Sequence, residues 1–316
     1  MNRLRLLAPI ALAGNALLAG CVPTPEPEPT PVDPPTIESL VASDEPLLIP
    51  HAGGDWDAPH STPYAYQRAV DAGAQVLEMD VMLTEDGQLV VHHDDTVDRI
   101  TEGSGAVAQM TLAELQALDA AYWFVPECWS CHDRAPGDYE LRGVRTGVTP
   151  APAGFRPDDF IVPTFRQIAQ RFPEAALDVE VKGSGAQGLA VVDALADELE
   201  ALDRVESTIV VSFDDAIVAA MRARLPEVAL SPATNELTAW AFYGQPLGDY
   251  PVIQIPPSSG SIPLIPALVE KAHAEGFEVW IWPNDPSLQE NAEYYTELID
   301  AGVDGVIAGS PSRWPY

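Results

Sequence analysis

Two carboxylates spaced two residues apart inside an apolar run are the most chemically loaded feature of this 316-residue sequence. Glu78 and Asp80 stand in Val76-Leu77-Glu78-Met79-Asp80-Val81, and because side chains alternate faces along a strand, both project to the same side. An acidic pair on one face of a buried strand calls for a cation. The turn Glu85-Asp86-Gly87 then reverses the chain into Gln88-Leu89-Val90-Val91-His92-His93-Asp94, which predicts a second short strand bringing imidazoles close to those carboxylates. His51 closes an earlier apolar run and is followed by Gly53 and Gly54. Further on, Glu180 and Lys182 repeat the two-residue spacing in Leu177-Asp178-Val179-Glu180-Val181-Lys182. They read either as site residues or as an internal ion pair. A carboxylate cluster flanked by histidines at strand ends fits metal-assisted acid/base chemistry.

These residues need a scaffold that delivers strand ends to one place. Short apolar runs predict strands over 47–50, 76–81, 176–181, 208–212, 228–230, 252–254, 278–282 and 305–308. Amphipathic stretches predict helices over 64–72, 165–172, 187–202, 215–225, 235–243, 263–275 and 288–301. Strands alternating with helices imply βα units and a parallel sheet. Eight of them favour an α/β TIM barrel, (β/α)8, over an open doubly wound sheet, and no glycine-rich dinucleotide or P-loop fingerprint follows the first strand. In a barrel, His51, Glu78, Asp80, Glu180, Lys182 and Ser212 all fall at carboxyl ends, where such folds carry their sites.

Composition narrows the partners. The chain is 47% hydrophobic, enough for a large core, while 48 acidic against 16 basic residues give a net charge of -32. That balance argues against nucleic acid and against nonspecific adhesion to anionic headgroups, and reads as a surface adapted to salt. An anionic substrate then needs a metal or a few placed cations.

The N-terminal segment is an address. Arg3 and Arg5 precede an apolar stretch, 6–18, too short for a membrane span and suited to a signal peptide. It ends Leu18-Ala19-Gly20-Cys21, which resembles the lipobox of bacterial lipoproteins. The resemblance implies a signal over 1–20, lipidation of Cys21, and a membrane attachment strengthened by several acyl chains; an ordinary secreted protein is the alternative. Val22 lacks the aspartate-type retention signal, so the expected location is the cell envelope, anchored to the outer membrane. Proline density makes 22–37 an extended spacer. The domain plan is therefore a signal over 1–20, a lipidated cysteine and linker over 21–44, and a barrel over 45–316. An insertion over about 121–159, after the second βα unit, carries Trp123, Cys128, Trp129, Cys131 and His132. Cys128 and Cys131 are expected to form a local disulfide rather than half a zinc site, since no second cysteine pair exists; a redox-active pair is a third option.

Together the motifs resemble those of the glycerophosphodiester phosphodiesterases across most of 47–311. The carrying segments are His51-Ala52-Gly53-Gly54, Gly73 to Val81, Thr84-Glu85-Asp86-Gly87, Val91 to Arg99, Ile161-Val162-Pro163-Thr164-Phe165, Val179-Glu180-Val181-Lys182, Ser212-Phe213, Val279 to Asp285 and Gly302 to Ile307. The resemblance implies a TIM barrel that holds a divalent ion, Ca2+ or Mg2+, on Glu78, Asp80 and Glu180. It implies His51 and His93 as the acid/base pair and Lys182 against the phosphate, with Trp282 on the substrate side; His60, where the chain departs from the family, reads either as a loop residue or as a substitute contact to substrate or metal. Hard oxygen donors and a histidine pair suit that chemistry. The implied reaction is an internal attack by a glycerol hydroxyl on phosphorus, followed by hydrolysis of the cyclic phosphate. The implied partners are a small glycerophosphodiester and a membrane, with no obligate protein partner. Two departures stand out: Ala52 where the family has arginine, and Pro59-His60-Ser61-Thr62 where it has Pro-Glu-Asn-Thr. Losing both partners of a charge pair together avoids leaving either buried alone. His92 is expected to pack away from His93, and His132 and His273 to sit on the surface or on helices. Rival readings are a lysophospholipid or sphingomyelin phosphodiesterase on the same barrel, and a non-catalytic binding lipoprotein.

Overall fold

The computed structural model describes residues 34–316; the signal segment, Cys21 and residues 22–33 of the proline-rich spacer lie outside them. In chain order the strands are β1 (Leu47–Pro50), β2 (Val76–Leu83), β3 (Leu89–Val91), β4 (Ala176–Val181), β5 (Thr208–Val211), β6 (Ala229–Leu230), β7 (Val252–Ile255), a small hairpin of β8 (Ser258–Ser259) and β9 (Ile262–Pro263), β10 (Glu278–Ile281) and β11 (Gly305–Ala308). The helices are α1 (Ile37–Val41), α2 (Pro63–Asp71), α3 (Leu112–Ala117), α4 (Phe165–Arg171), α5 (Gly185–Ala201), α6 (Asp215–Arg224), α7 (Thr234–Tyr243), α8 (Ala267–Glu275), α9 (Pro286–Gln289) and α10 (Ala292–Asp300).

Parallel pairing runs β1-β11-β10-β7 in one arc and β2-β4-β5-β6 in the other, with β3 antiparallel on the outer edge of β2. The side chains join the arcs. A single apolar cluster holds Leu47 and Ile49 from β1, Val76 from β2, Ala176 from β4, Ile209 from β5, Val252 from β7, Trp280 from β10 and Ile307 from β11, with Ala229 of β6 against it. Alternate residues such as Met79, Val179 and Val210 point out to the helices. Inward and outward sets separated by the strand period make the fold a TIM barrel.

The barrel floor is plugged by α1. Thr36 Oγ1 accepts the Ser39 N–H and starts this turn, and Ile37 and Leu40 join the interior cluster. Among the described residues the packed body already includes Thr36 to Val41, ahead of residue 45. Within the floor, Gly305 leaves room for Trp280, whose Cδ1 lies 2.8 Å from where a Cβ would stand.

Two further expectations change. The insertion lies inside the second βα unit rather than after it, since 121–159 separates β2 from its helix α4. Thr164 and Gln167 form a capping box that restarts regular structure there. The short strand predicted across Gln88 to Asp94 forms as β3 and ends at Val91, so His92 and His93 stand just beyond it. Their directions diverge as expected: His92 is fully buried, with Nε2 3.2 Å from the Thr96 carbonyl, whereas His93 faces the mouth of the barrel.

Candidate active site

Above the apolar floor the interior turns polar in tiers set by strand register. Glu78 pairs with Asp178 and Asp80 with Glu180 along β2 and β4, so four inward carboxyls occupy two successive levels. At the lower level Gln254 reaches across from β7, and its Nε2 donates to Asp178 Oδ1 and Oδ2 at 3.0 and 2.9 Å. Burial, opposed by that donor and reinforced by Glu180 and Asp80, pushes the Asp178 carboxyl up to about 7. Glu78 Oε2 accepts the backbone N–H of Ala52. Burial first, and then the neighbouring Asp80, raise the Glu78 carboxyl well above its ordinary range.

The upper level holds the one inward lysine among the described residues. Lys182 Nζ lies 2.8 Å from Asp80 Oδ1 and 2.9 Å from Glu180 Oε1. Burial opposes ionisation of Asp80, but the ammonium outweighs it and holds this carboxyl below its usual value; Glu180 is raised by burial and by Asp80. The same two carboxylates, against burial, keep Lys182 firmly protonated. Although Asp80 is within ion-pair distance of that ammonium, neither of its oxygens, both fully buried, has a directed hydrogen bond. An orphaned anionic oxygen among hard donors suits a divalent cation such as Ca2+ or Mg2+, so Glu78, Asp80 and Glu180 fit the implied group. Among the described residues no three His, Cys, Asp or Glu side chains are already gathered as ligands about one point; the lysine supplies the positive charge between Asp80 and Glu180.

The imidazoles form the rim. His51 follows β1, placed by a turn in which Gly53 and Gly54 take φ of +85° and +95°. A Cβ at Gly53 would stand 3.0 Å from that of Ala65, so glycine also permits the close approach of α2. The His51 and His93 rings meet edge-on, centroids 5.1 Å apart. Each ring rests its Nδ1 on its own carboxylate: His51 on Asp55 at 3.0 Å and His93 on Asp94 at 2.8 Å. Burial pulls His51 down, but Asp55, with Glu78 and Asp80 behind it, prevails and pushes its imidazole up to about 10. Beside the rim opens a cavity of about 720 Å3 lined by His93, Asp94, Glu180, Lys182, Ser212, Phe213 and Asn235 among others. Trp282, just past β10, stands across from Phe213 with ring centroids 6.0 Å apart.

Three candidate residues have structural partners. His60 is buried beneath the rim, its Nδ1 3.0 Å from Ser61 Oγ and its Nε2 2.9 Å from Arg99 Nη2. Because a guanidinium only donates, Nε2 is the acceptor and the ring is neutral; burial and Arg99 both lower its pKa. His60 therefore meets a cation, not the cavity, and Arg99 occupies the neighbourhood where the family's charge pair is missing. Cys128 and Cys131 are joined as a disulfide, Cα atoms 6.0 Å apart. Sequence reasoning passed over Asp55, Asp94, Arg99, Asp178 and Gln254. Asp178 alone was available to it, being two residues before Glu180.

Inward carboxylates, one lysine and two carboxylate-backed imidazoles thus gather at the carboxyl ends of the strands, the face where TIM-barrel enzymes carry their active sites. The glycerophosphoryl diester phosphodiesterase family model matches residues 51–312. A probable glycerophosphodiester phosphodiesterase 1 of Mycobacterium tuberculosis is 30% identical over 277 residues, covering 87% of this chain and 94% of its own length. A glycerophosphodiester phosphodiesterase of Caldanaerobacter subterraneus is 28% identical over 269 residues, 84% of this chain and 94% of the relative. Among solved structures, a phosphodiesterase of Oleispira antarctica in complex with the product sn-glycerol-3-phosphate shares the fold with a TM-score of 0.61 at 21% identity, covering 86% of this chain and 96% of that one. The chain belongs to the glycerophosphoryl diester phosphodiesterase family.

Proposed function

We propose that this enzyme hydrolyses glycerophosphodiesters to glycerol phosphate and an alcohol, using a divalent metal ion held by Glu78, Asp80 and Glu180. The observation that carries the reading is the pair of imidazoles 5.1 Å apart, each backed by a carboxylate, above a carboxylate and lysine cluster. With Asp94 accepting the Nδ1–H of His93, Nε2 is the nitrogen left to accept the proton of a glycerol hydroxyl. The hydroxyl oxygen then attacks phosphorus. His51, kept protonated by Asp55, gives its proton to the departing alcohol oxygen, and water opens the cyclic phosphate with the roles reversed. The bound cation would neutralise phosphate charge and polarise its oxygens. Lys182 borders the cavity and adds a second positive charge for the phosphate, in partial place of the arginine replaced by Ala52. Cys21 is read as the lipid anchor of an envelope enzyme.

The test is release of choline from glycerophosphocholine by the purified protein, in chelator and after adding Mg2+ or Ca2+. Activity lost in chelator and restored better by these ions than by Zn2+ is expected. No release from any glycerophosphodiester with metal supplied would sink the reading in favour of a binding lipoprotein. Faster turnover of lysophosphatidylcholine would move the substrate to the lipid class.

A further inference from the structure

The insertion does more than lie beside the site, for it grips a residue that in turn grips the base. Arg99 Nε and Nη2 donate to Asp94 Oδ2 and Oδ1 at 2.5 and 3.1 Å, and the same Oδ1 takes His93 Nδ1 at 2.8 Å. The carboxylate is therefore a bridge with one end on the imidazole. The far side of Arg99 is held by the insertion. The Trp129 ring lies 3.8 Å from the guanidinium carbon, the Trp129 carbonyl accepts Nη1 at 3.3 Å, and His132 Nε2 donates to the Arg99 carbonyl at 2.9 Å. The Trp129 ring also meets His93 edge-on at 5.3 Å. Trp129 sits between the two half-cystines, so the disulfide fixes the loop that presents it.

Resting on the reading of His93 as the base, we propose that Trp129, presented by the Cys128–Cys131 loop, is a positioning residue that aligns His93 through Arg99 and Asp94. An arginine fork fixes a carboxylate only while the fork itself is fixed. One face of this guanidinium is covered by Trp129, and a planar cation stacked on an aromatic ring has a defined orientation. Uncovered, Arg99 gains water and rotational freedom, Asp94 follows it, and the His93 ring loses the tautomer and tilt that aim Nε2 at the hydroxyl proton. Neither Trp129 nor Arg99 lines the cavity, so their effect on the substrate runs through Asp94 and His93. The insertion thus supplies a part of the acid/base apparatus from outside the segments that carry the family resemblance.

The test is steady-state hydrolysis of glycerophosphocholine with saturating metal by the wild type, Trp129→Ala, Trp129→Phe and Arg99→Lys. Trp129→Ala should lower kcat roughly tenfold, the scale of one tenfold step in barrier per misaligned group, with KM within about twofold and an unchanged thermal midpoint. Trp129→Phe should recover most of the loss, because the stacking face returns; Arg99→Lys should not, because the fork does not. Cleaving the disulfide with dithiothreitol, which leaves two cysteine thiols and oxidised reductant, should bring wild-type kcat down towards Trp129→Ala and leave that variant unaffected. An unchanged kcat in Trp129→Ala, or a change in KM alone, overturns the inference while an active wild type and a dead His93→Ala leave the catalytic reading standing.

Discussion

Replacing Lys182 with Met isolates what the cation between Asp80 and Glu180 contributes. At separations of 2.8 and 2.9 Å, each contact corresponds to a gross attraction of about 6 kcal/mol at an effective dielectric near 20. Most of that is offset by desolvation, and removing one partner of such a buried pair typically costs a net ~3–5 kcal/mol. Uptake of a proton by Glu180, already raised by burial, sets the loss at the low end. For a domain of this size the expected fall in thermal midpoint is about 10 °C. The measurement is thermal unfolding in chelator and then with Mg2+ or Ca2+ added. A cation that binds the native state at about a hundred times its Kd returns roughly 2.7 kcal/mol, so metal should raise the midpoint of Lys182→Met by several degrees more than that of the wild type, whose ammonium competes for the same carboxylates. The double variant Lys182→Met with Glu180→Gln should lose less than Lys182→Met alone in chelator, since the like-charge repulsion is gone. An unchanged midpoint in chelator, or a metal response equal to the wild type's, would refute a cation seat between these two carboxylates.

His51→Ala and His93→Ala should each lower kcat by about two to four orders of magnitude with metal still bound by calorimetry, and the double variant should lose little more because both serve one proton-transfer sequence. Asp178 has its carboxyl raised from 3.8 to about 7 in the fold, so the folded state binds the extra proton between those values and, in metal-free protein, stability should fall as pH rises from about 4 through 7, by up to roughly 4 kcal/mol. Asp178→Asn should flatten that decline in urea melts at pH 5 and 8, and an unaltered slope would disprove it. Cys21→Ser should convert a detergent-phase protein into an aqueous one; unchanged phase partitioning would remove the anchor from the proposal.

What the sequence made legible follows from the strand period. Glu78, Asp80, Glu180 and Lys182 were placed inward by a spacing of two, and the register of β2 against β4 sets them side by side. The same rule reaches Asp178, whose partner Gln254 comes from a strand 76 positions away and so leaves no local trace. Arg99 and Trp129 were hidden for a similar reason: their meeting depends on the path of an insertion with little regular structure, which no periodicity encodes. The capping turn at Thr36 and the pattern Ile37, Leu40 and Val41 were readable as a helix, but proline-rich neighbours drew the segment into the linker. His60 was weighed as a contact to substrate or metal, a choice that only its distance to Arg99 decides.

The plug at the barrel floor has a bearing on what the enzyme meets. Because α1 closes the amino-terminal ends of the strands, the polypeptide enters the body at the pole opposite His51 and His93. The cavity beside His93 therefore opens on the face that α1 leaves free.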